Sequence, residues 1–332
     1  MTSGLTRTGR VCGLLLEGRD ALRIFIVHNP VSGTFDPEHV RTVTAAHFDA
    51  HGIEYEVHTT AEGDPIPEIV RAAAARGFDR IAAAGGDGTV SAVANGLLHG
   101  EVSLGIIPTG TGNAFAREME VPLDLEEALS VLTGSEAIKV IDTLTIGDRH
   151  FIMSVSAGVS AATMAATDRE QKRRFGKLAY FLEGLGELQQ ARGGQVTLHV
   201  DGRQVQMRAA AEVIVANTGQ VGFKKLRLSP DVRPDDGQMN VCVIRVASVG
   251  AYLRLLGYAL GGDPTQLPEM KCFPGEREIR IEADRPLQVQ ADGEAIGETP
   301  VSVGIAPQSL RVVVPQIEPE SAGADRPRSE PG

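Results

Sequence analysis

At 332 residues the chain is long enough for about two domains, and its 42% hydrophobic and 23% charged content is that of a globular protein rather than a disordered or collagen-like one. A formal net charge of −11 excludes a general nucleic-acid binder, because affinity for a phosphate backbone needs clustered positive charge. Cys12, Cys242 and Cys272 are few, widely separated and odd in number, which predicts neither a disulfide framework nor a zinc site and points to a reducing, cytoplasmic setting.

Residues 1–21 are expected to form a flexible extension. Arg7 and Arg10 precede an apolar run, 11–16, that is too short for a signal peptide and ends at Glu17. No apolar run approaches the length of a membrane-spanning helix. From residue 22 to about 142, short apolar runs alternate with amphipathic ones. Residues 22–28, 53–58, 80–84 and 103–107 read as strands, and 37–50, 67–76, 90–98 and 125–132 as helices. That alternation predicts an α/β domain built on a parallel sheet, whose ligands sit at the carboxyl ends of the strands.

Beyond the boundary expected near Asp142 the texture becomes that of an antiparallel β-sandwich over 143–315. Strands are expected at 151–157, 195–200, 204–210, 212–216, 238–246, 278–282, 287–291 and 310–314, with a helical insert at 175–190. Residues 316–332, rich in Pro, Ser, Gly, Glu and Arg, are expected to be a disordered tail. A site in the cleft between the two domains follows from where ligand sites usually lie.

Three turns fall at the carboxyl ends of first-domain strands: Asn29-Pro30-Val31-Ser32-Gly33, Gly85-Gly86-Asp87-Gly88-Thr89, and Pro108-Thr109-Gly110-Thr111-Gly112-Asn113. Small residues let a backbone approach a phosphate chain, and a helix starting there aims its free amides at the same place. Together the turns predict a nucleotide site. The sequence lacks both GxxxxGK[ST] and a GxGxxG after the first strand, so no loop lysine offsets phosphate charge, and a divalent metal has to share that task with backbone amides. Asp87 is the carboxylate best placed to orient such a metal; its competing role is a helix cap or a partner within its own turn.

NPVSG at 29–33, GGDGT at 85–89 and LGIIPTGTGNAFAR at 104–117 resemble, in order, the three signatures of the diacylglycerol kinase catalytic domain, in the bacterial lipid kinase branch that also resembles sphingosine kinases. The resemblance continues through FGKLAYFLEGL at 175–185, LSPDVRPDDGQMNV at 228–241 and LQVQADGEAIGETPV at 287–301, and spans about residues 23–315. It implies a two-domain kinase that uses ATP and Mg2+ to phosphorylate a hydroxyl of diacylglycerol or a related long-chain lipid. By that resemblance Asn29, Pro30, Ser32 and Gly33 line the ATP phosphate side, and Thr59 contacts the nucleotide. Gly85, Gly86, Asp87, Gly88, Thr89, Val90 and Ser91 wrap the triphosphate, with Gly110, Thr111 and Asn113 adding contacts. Asp292 and Glu294 match the family's carboxylate pair, with Glu294 as the base that takes the acceptor proton and Asp292 assisting or binding metal; an Asp-Gly hairpin turn such as Asp201-Gly202 is the competing explanation.

The resemblance also implies a structural magnesium at Asp236, with Asp235 and the carbonyl of Gln238. A further ligand used by relatives would fall at Arg233, which cannot bind a cation. Ala92 and Ala114 stand where relatives often carry acids, and Thr109 where the family is more often apolar, which leaves the acceptor's identity open.

Arg169, Lys172, Arg173, Arg174 and Lys177 form the one strong basic island, just before Leu178, Phe181, Leu182 and Leu185 at helical spacing. The cluster predicts transient peripheral contact with a membrane, where the lipid substrate resides; a helix packed on the sandwich is the competing reading of the apolar face. Two other functions remain open at this point: a soluble kinase with a polar acceptor, as in NAD kinases, and a nucleotide-binding regulator without turnover. The sequence does not specify an oligomeric state.

Overall fold

A computed structural model describes residues 22–33, 35–158, 194–220, 228–229, 231–245 and 270–316. The N-terminal extension expected at 1–21 falls outside them apart from its junction at residue 22. The basic island, the helical insert at 175–190 and residues 317–332 also lie outside.

The first domain is the expected α/β layer. Strands β1 (Arg23–His28), β2 (Glu54–Thr59), β3 (Arg80–Gly85) and β4 (Ser103–Pro108) are parallel in the order β2-β1-β3-β4. Around them run α1 (Pro37–His51), α2 (Ile66–Ala74), α3 (Asp87–Leu97), α4 (Ala114–Glu118) and α5 (Leu125–Gly134). Because alternate strand residues point to opposite faces, Ile24 and Ile26 pack with Phe48 of α1 and Leu129 of α5, while Phe25 and Val27 pack with Val70 of α2 and Val93 of α3. The helices start where their caps dictate. Asp36 accepts the N–H of Glu38 ahead of α1, and Asp124 accepts those of Glu126 and Glu127 ahead of α5.

The second domain is mostly antiparallel. Its strands are β5 (Ile138–Ile146), β6 (Arg149–Phe151), β7 (Ser154–Gly158), β8 (Gly194–Val200), β9 (Arg203–Ala216), β10 (Met239–Arg245), β11 (Met270–Gly275), β12 (Glu278–Ala283), β13 (Gln288–Ala291), β14 (Glu294–Glu298) and β15 (Val301–Val313). Val155, Val213, Val241, Val289 and Val303 share one buried cluster, each taken from the inward side of its strand. The expected strands at 204–210 and 212–216 form a single strand, β9, with Ala209 at φ 57° and a register shift opposite Ile244 and Arg245.

Asp142 lies inside β5. Its N–H donates to the carbonyl of Pro234, and its carboxylate accepts the amides of Gly237 and Gln308. The domains also share a backbone ladder: β15 pairs antiparallel with β12 and β5, then parallel with β4 at Val312 opposite Leu104.

One expectation is corrected by the fold. Cys242 of β10 stands directly opposite Cys272 of β11, with Cα atoms 4.0 Å apart, and the two form a disulfide. Their sequence separation is 30, and only the strand register brings them together. The cysteines therefore give no support to a reducing compartment. Among the described residues no helix is long and apolar enough to cross a membrane.

Candidate active site

The three glycine-rich turns meet at the carboxyl edge of the parallel sheet. Asn29 Nδ2 donates to Thr89 Oγ1 at 3.1 Å, and Asn29 Oδ1 accepts the N–H of Val31. Gly33 has φ +77°, and a Cβ there would fall 1.7 Å from the carbonyl oxygen of Thr109. A Cβ on Gly110 would fall 2.4 Å from the Cα of Gly86. These approaches require glycine and lock the turns into one surface. Ser32 faces Gly86 across it. Gly88 is exposed, with open space where a side chain would project.

The other nucleotide-side residues are placed unequally. Thr59 ends β2 exposed, opposite His28 in register, and Pro30 and Thr111 lie on their turns. Val90 is 3% exposed within the core, and its N–H is taken by the carbonyl of Gly86, so it offers a ligand nothing. Asn113 sits at φ 52° ahead of α4 and donates to the carbonyl of Gly110 at 2.8 Å. Its Oδ1 and the Oγ1 of Thr109 are buried without a hydrogen-bond partner. Two such orphaned acceptors beside an open glycine turn fit a bound polar molecule.

Asp87 is the first residue of α3. Its Oδ1 accepts the N–H of Phe115 at 3.0 Å, and its Oδ2 points toward Gly112. The carboxylate thus ties the GGDGT turn to α4. The capping role weighed from sequence exists, but for a neighbouring helix rather than its own. One oxygen remains for a hard cation, which takes one or two carboxylates and completes its shell with phosphate oxygens.

Across the seam, a cleft of about 560 Å3 joins the two domains. Gly88 and Ser91 of α3 form one wall; Arg149, Asp292 and Glu294 form the other. Asp292 occupies the β13–β14 turn with φ 46°. Its carboxylate accepts the amides of Ile152, Met153 and Ser154 at 2.8, 2.9 and 3.1 Å, and the hydroxyl of Ser91 at 2.9 Å. Burial pushes this carboxyl above the usual range, outweighing the four donors that pull it down. Glu294 opens β14 with its side chain 73% exposed, and Arg149 reaches its Oε2 at 3.0 Å. The Arg149 guanidinium also lies over the ring of Phe151, 5.2 Å from its centroid.

Sequence reasoning missed Arg149 and His150 in this cleft, together with Arg71 and Asn95 on the helix side. His150 accepts or donates at Thr143 Oγ1, 2.8 Å away, and faces His99 with ring centroids 5.4 Å apart. Burial, and then His99, lowers its pKa. No residue pattern announces these positions, since Asp148-Arg149-His150 reads as an ordinary polar turn.

The residues expected to hold a structural metal do not fit one. Asp235 lies 3.3 Å from the ammonium of Lys139 and 3.5 Å from Arg233 Nε, so its charge is already met. Asp236 Oδ1 accepts the N–H of Gln238, closing its own turn. Among the described residues no group of three or more His, Cys, Asp or Glu side chains is arranged to bind a metal.

Residues 23–146 match the diacylglycerol kinase catalytic domain family, and residues 153–314 match the YegS C-terminal NAD kinase beta sandwich-like domain. The diacylglycerol kinase of Bacillus subtilis (strain 168) is 29% identical over 303 residues, covering 90% of this chain and 98% of that protein. A diacylglycerol kinase of Staphylococcus epidermidis is 28% identical, covering 89% and 92%. The crystal structure of a protein described as a putative diacylglycerol kinase from Bacillus anthracis superposes with a TM-score of 0.74 at 26% identity, over 89% of this chain and 97% of that one. With both halves matched in order and the two-domain architecture shared, the chain carries a diacylglycerol kinase catalytic domain at 23–146 followed by a YegS-type C-terminal domain at 153–314.

Proposed function

We propose that the protein is an ATP-dependent lipid kinase that transfers the γ-phosphoryl group to a hydroxyl of diacylglycerol or a related long-chain lipid. The observation that carries this reading is the cleft in which Glu294 of the second domain shares walls with Gly88 and Ser91 of the glycine-rich turn and helix. The kinase names of the relatives supply the reaction class.

In this reading the phosphates lie along Gly85–Thr89, against the amides at the start of α3, where the helix dipole favours negative charge. Asn29, Ser32 and Thr89 line that surface, and Thr109 and Asn113 offer their unpartnered oxygens to the rest of the nucleotide. Asp87 would hold magnesium through Oδ2, and that ion would supply charge neutralisation on the transferring phosphoryl group. The acceptor hydroxyl enters from the second-domain side. As its oxygen bonds to phosphorus and the bond to the ADP oxygen breaks, its proton passes to Glu294. Arg149 keeps the Glu294 carboxylate at the rim between turnovers. The lipid comes from a membrane surface, which the basic island at Arg169, Lys172, Arg173, Arg174 and Lys177 serves by attraction to anionic headgroups.

The test is incubation of the purified protein with γ-labelled ATP and separate acceptors: dispersed diacylglycerols, long-chain amino alcohols, NAD and water alone. Label in a lipid is the expected result. Label in NAD with none in lipid, or nucleotide binding with no transfer to any acceptor, overturns the lipid kinase reading.

A further inference from the structure

Two Asp-Gly hairpin turns of the second domain share one construction. Asp201, between β8 and β9, has φ 49° and gives its own N–H to the carbonyl of Glu278 at 3.0 Å. Its carboxylate receives the amides of Glu276, Arg277 and Glu278 at 2.8, 2.9 and 3.1 Å, the first on Oδ2 and the others on Oδ1. Asp292, between β13 and β14, has φ 46° and gives its N–H to the carbonyl of Ser154, also at 3.0 Å. The amides of Ile152, Met153 and Ser154 reach its carboxylate at the same three distances and in the same distribution over the two oxygens.

Asp201 is not among the residues lining the cleft. The three-amide cradle is therefore a means of docking a hairpin onto a neighbouring turn, and its presence at Asp292 carries no chemistry by itself. One contact separates the pair: Ser91 Oγ, from α3 of the first domain, donates to Asp292 Oδ2 at 2.9 Å. Their titration differs through burial, against which the Ser91 hydroxyl acts. Burial raises both carboxyls, but at Asp201 the amides prevail and hold it below the usual range, whereas at Asp292 burial prevails.

An ionised carboxylate has about four lone-pair sites. At Asp292 three amides and one hydroxyl fill them, which leaves nothing to accept a proton from an acceptor hydroxyl. Glu294 is mostly exposed and meets Arg149 through one oxygen. We propose that Asp292 is a positioning residue, an interdomain catch that closes on Ser91 and thereby sets Glu294, two residues further on, against the glycine-rich turn where α3 begins. What the catch serves rests on the kinase reading; the catch itself does not.

The experiment compares Ser91→Ala, Ser91→Thr, Asp292→Asn and the control Asp201→Asn in the full-length protein. Three quantities are read: hydrogen–deuterium exchange of amides 152–154, thermal unfolding, and the kinetics of transfer from ATP to dispersed diacylglycerol. Asp201→Asn should lower Tm while leaving kcat within about two-fold of wild type, as expected for a purely structural cradle. Ser91→Ala should lower kcat about 10–100-fold, the scale of a misplaced reacting group, with ATP KM within about two-fold and faster exchange at 152–154. Ser91→Thr, which keeps the hydroxyl, should restore both.

If Ser91→Ala keeps kcat within about two-fold of wild type while Asp292→Asn loses about 10²–10⁴-fold, Asp292 acts on the acceptor directly and the catch is overturned. If wild-type protein phosphorylates no lipid, the kinase reading falls alone. The catch is then judged by exchange: unchanged protection of 152–154 in Ser91→Ala overturns it, and faster exchange rescued by Ser91→Thr supports it.

Discussion

Replacing Glu294 with Gln preserves the shape and the hydrogen bond to Arg149 but removes the capacity to take a proton. General-base catalysis contributes about 10²–10⁴-fold, so kcat should fall by that factor, equivalent to roughly 3–5 kcal/mol in the barrier. The structure argues that this loss will not come from unfolding. The side chain is 73% exposed, and its pairing with Arg149 is between two groups in solvent, a class of contact worth about 0–1 kcal/mol. Tm should therefore move by less than about 4 °C. Initial rates with saturating labelled ATP and dispersed diacylglycerol measure kcat, a titration of ATP gives its KM, and a thermal scan checks the fold. With the glycine-rich turns untouched, ATP KM should stay within about two-fold. Activity within a few-fold of wild type, with a normal Tm, would refute Glu294 as the base and reopen the search among the cleft's other titratable groups.

Asp87→Asn should retain the acceptor for the Phe115 amide and hence Tm, while turnover is abolished; Asp87→Ala should lose both. Near-normal turnover in Asp87→Asn, measured beside thermal unfolding, would leave Asp87 as only a tie to α4. His28, His47 and His150 all have pKa values lowered, chiefly by burial, so the unfolded chain binds more protons than the folded one as pH falls through about 6.5. Stability should therefore decline on the acid side of that value, and His150→Gln should flatten the decline in Tm measured between pH 7.5 and 5.5; an identical slope in the variant would refute the assignment. Replacing Arg173 and Arg174 with Glu should weaken sedimentation with anionic vesicles at low salt by about 1 kcal/mol or more per charge, without changing ATP affinity. Unchanged sedimentation would move the membrane-facing surface elsewhere.

The parts of the site legible in the sequence are those whose function is local. Glycines at 33, 86 and 110 mark turns because a close backbone approach needs them, and the alternation of apolar strands with amphipathic helices fixes the edge on which those turns emerge. What was illegible belongs to register. The Cys242–Cys272 disulfide exists because β10 and β11 align those positions, a pairing that a sequence separation of 30 conceals. The amides that hold Asp292 lie about 140 residues before it, and no feature of Ile152, Met153 or Ser154 announces an anion cradle. Strand β14 reads Glu-Ala-Ile-Gly-Glu, too polar and glycine-rich to stand out, and it forms only because β13 is beside it. The family's acid pair at Asp292 and Glu294 was found through resemblance; the different environments of its two members came only from structure.

The placement of that pair follows from how the domains are joined. β15 begins in the second domain beside β12, runs along β5, and ends beside β4 of the parallel sheet. A backbone ladder of this kind resists sliding between the layers it connects, because each slip of register breaks hydrogen bonds and turns buried side chains outward. On the opposite side of the cleft the joint is a side-chain contact, Ser91 to Asp292, with no backbone ladder between α3 and the β13–β14 turn. The two joints differ in kind: one is continuous sheet, the other is made of side-chain contacts, among them a hydroxyl on the second turn of the helix that starts in the glycine-rich turn. A change at the N-terminus of α3 reaches the β13–β14 turn through the Ser91 to Asp292 hydrogen bond. The hairpin bearing Glu294 is therefore tied, through Asp292, to the helix that begins in the glycine-rich turn.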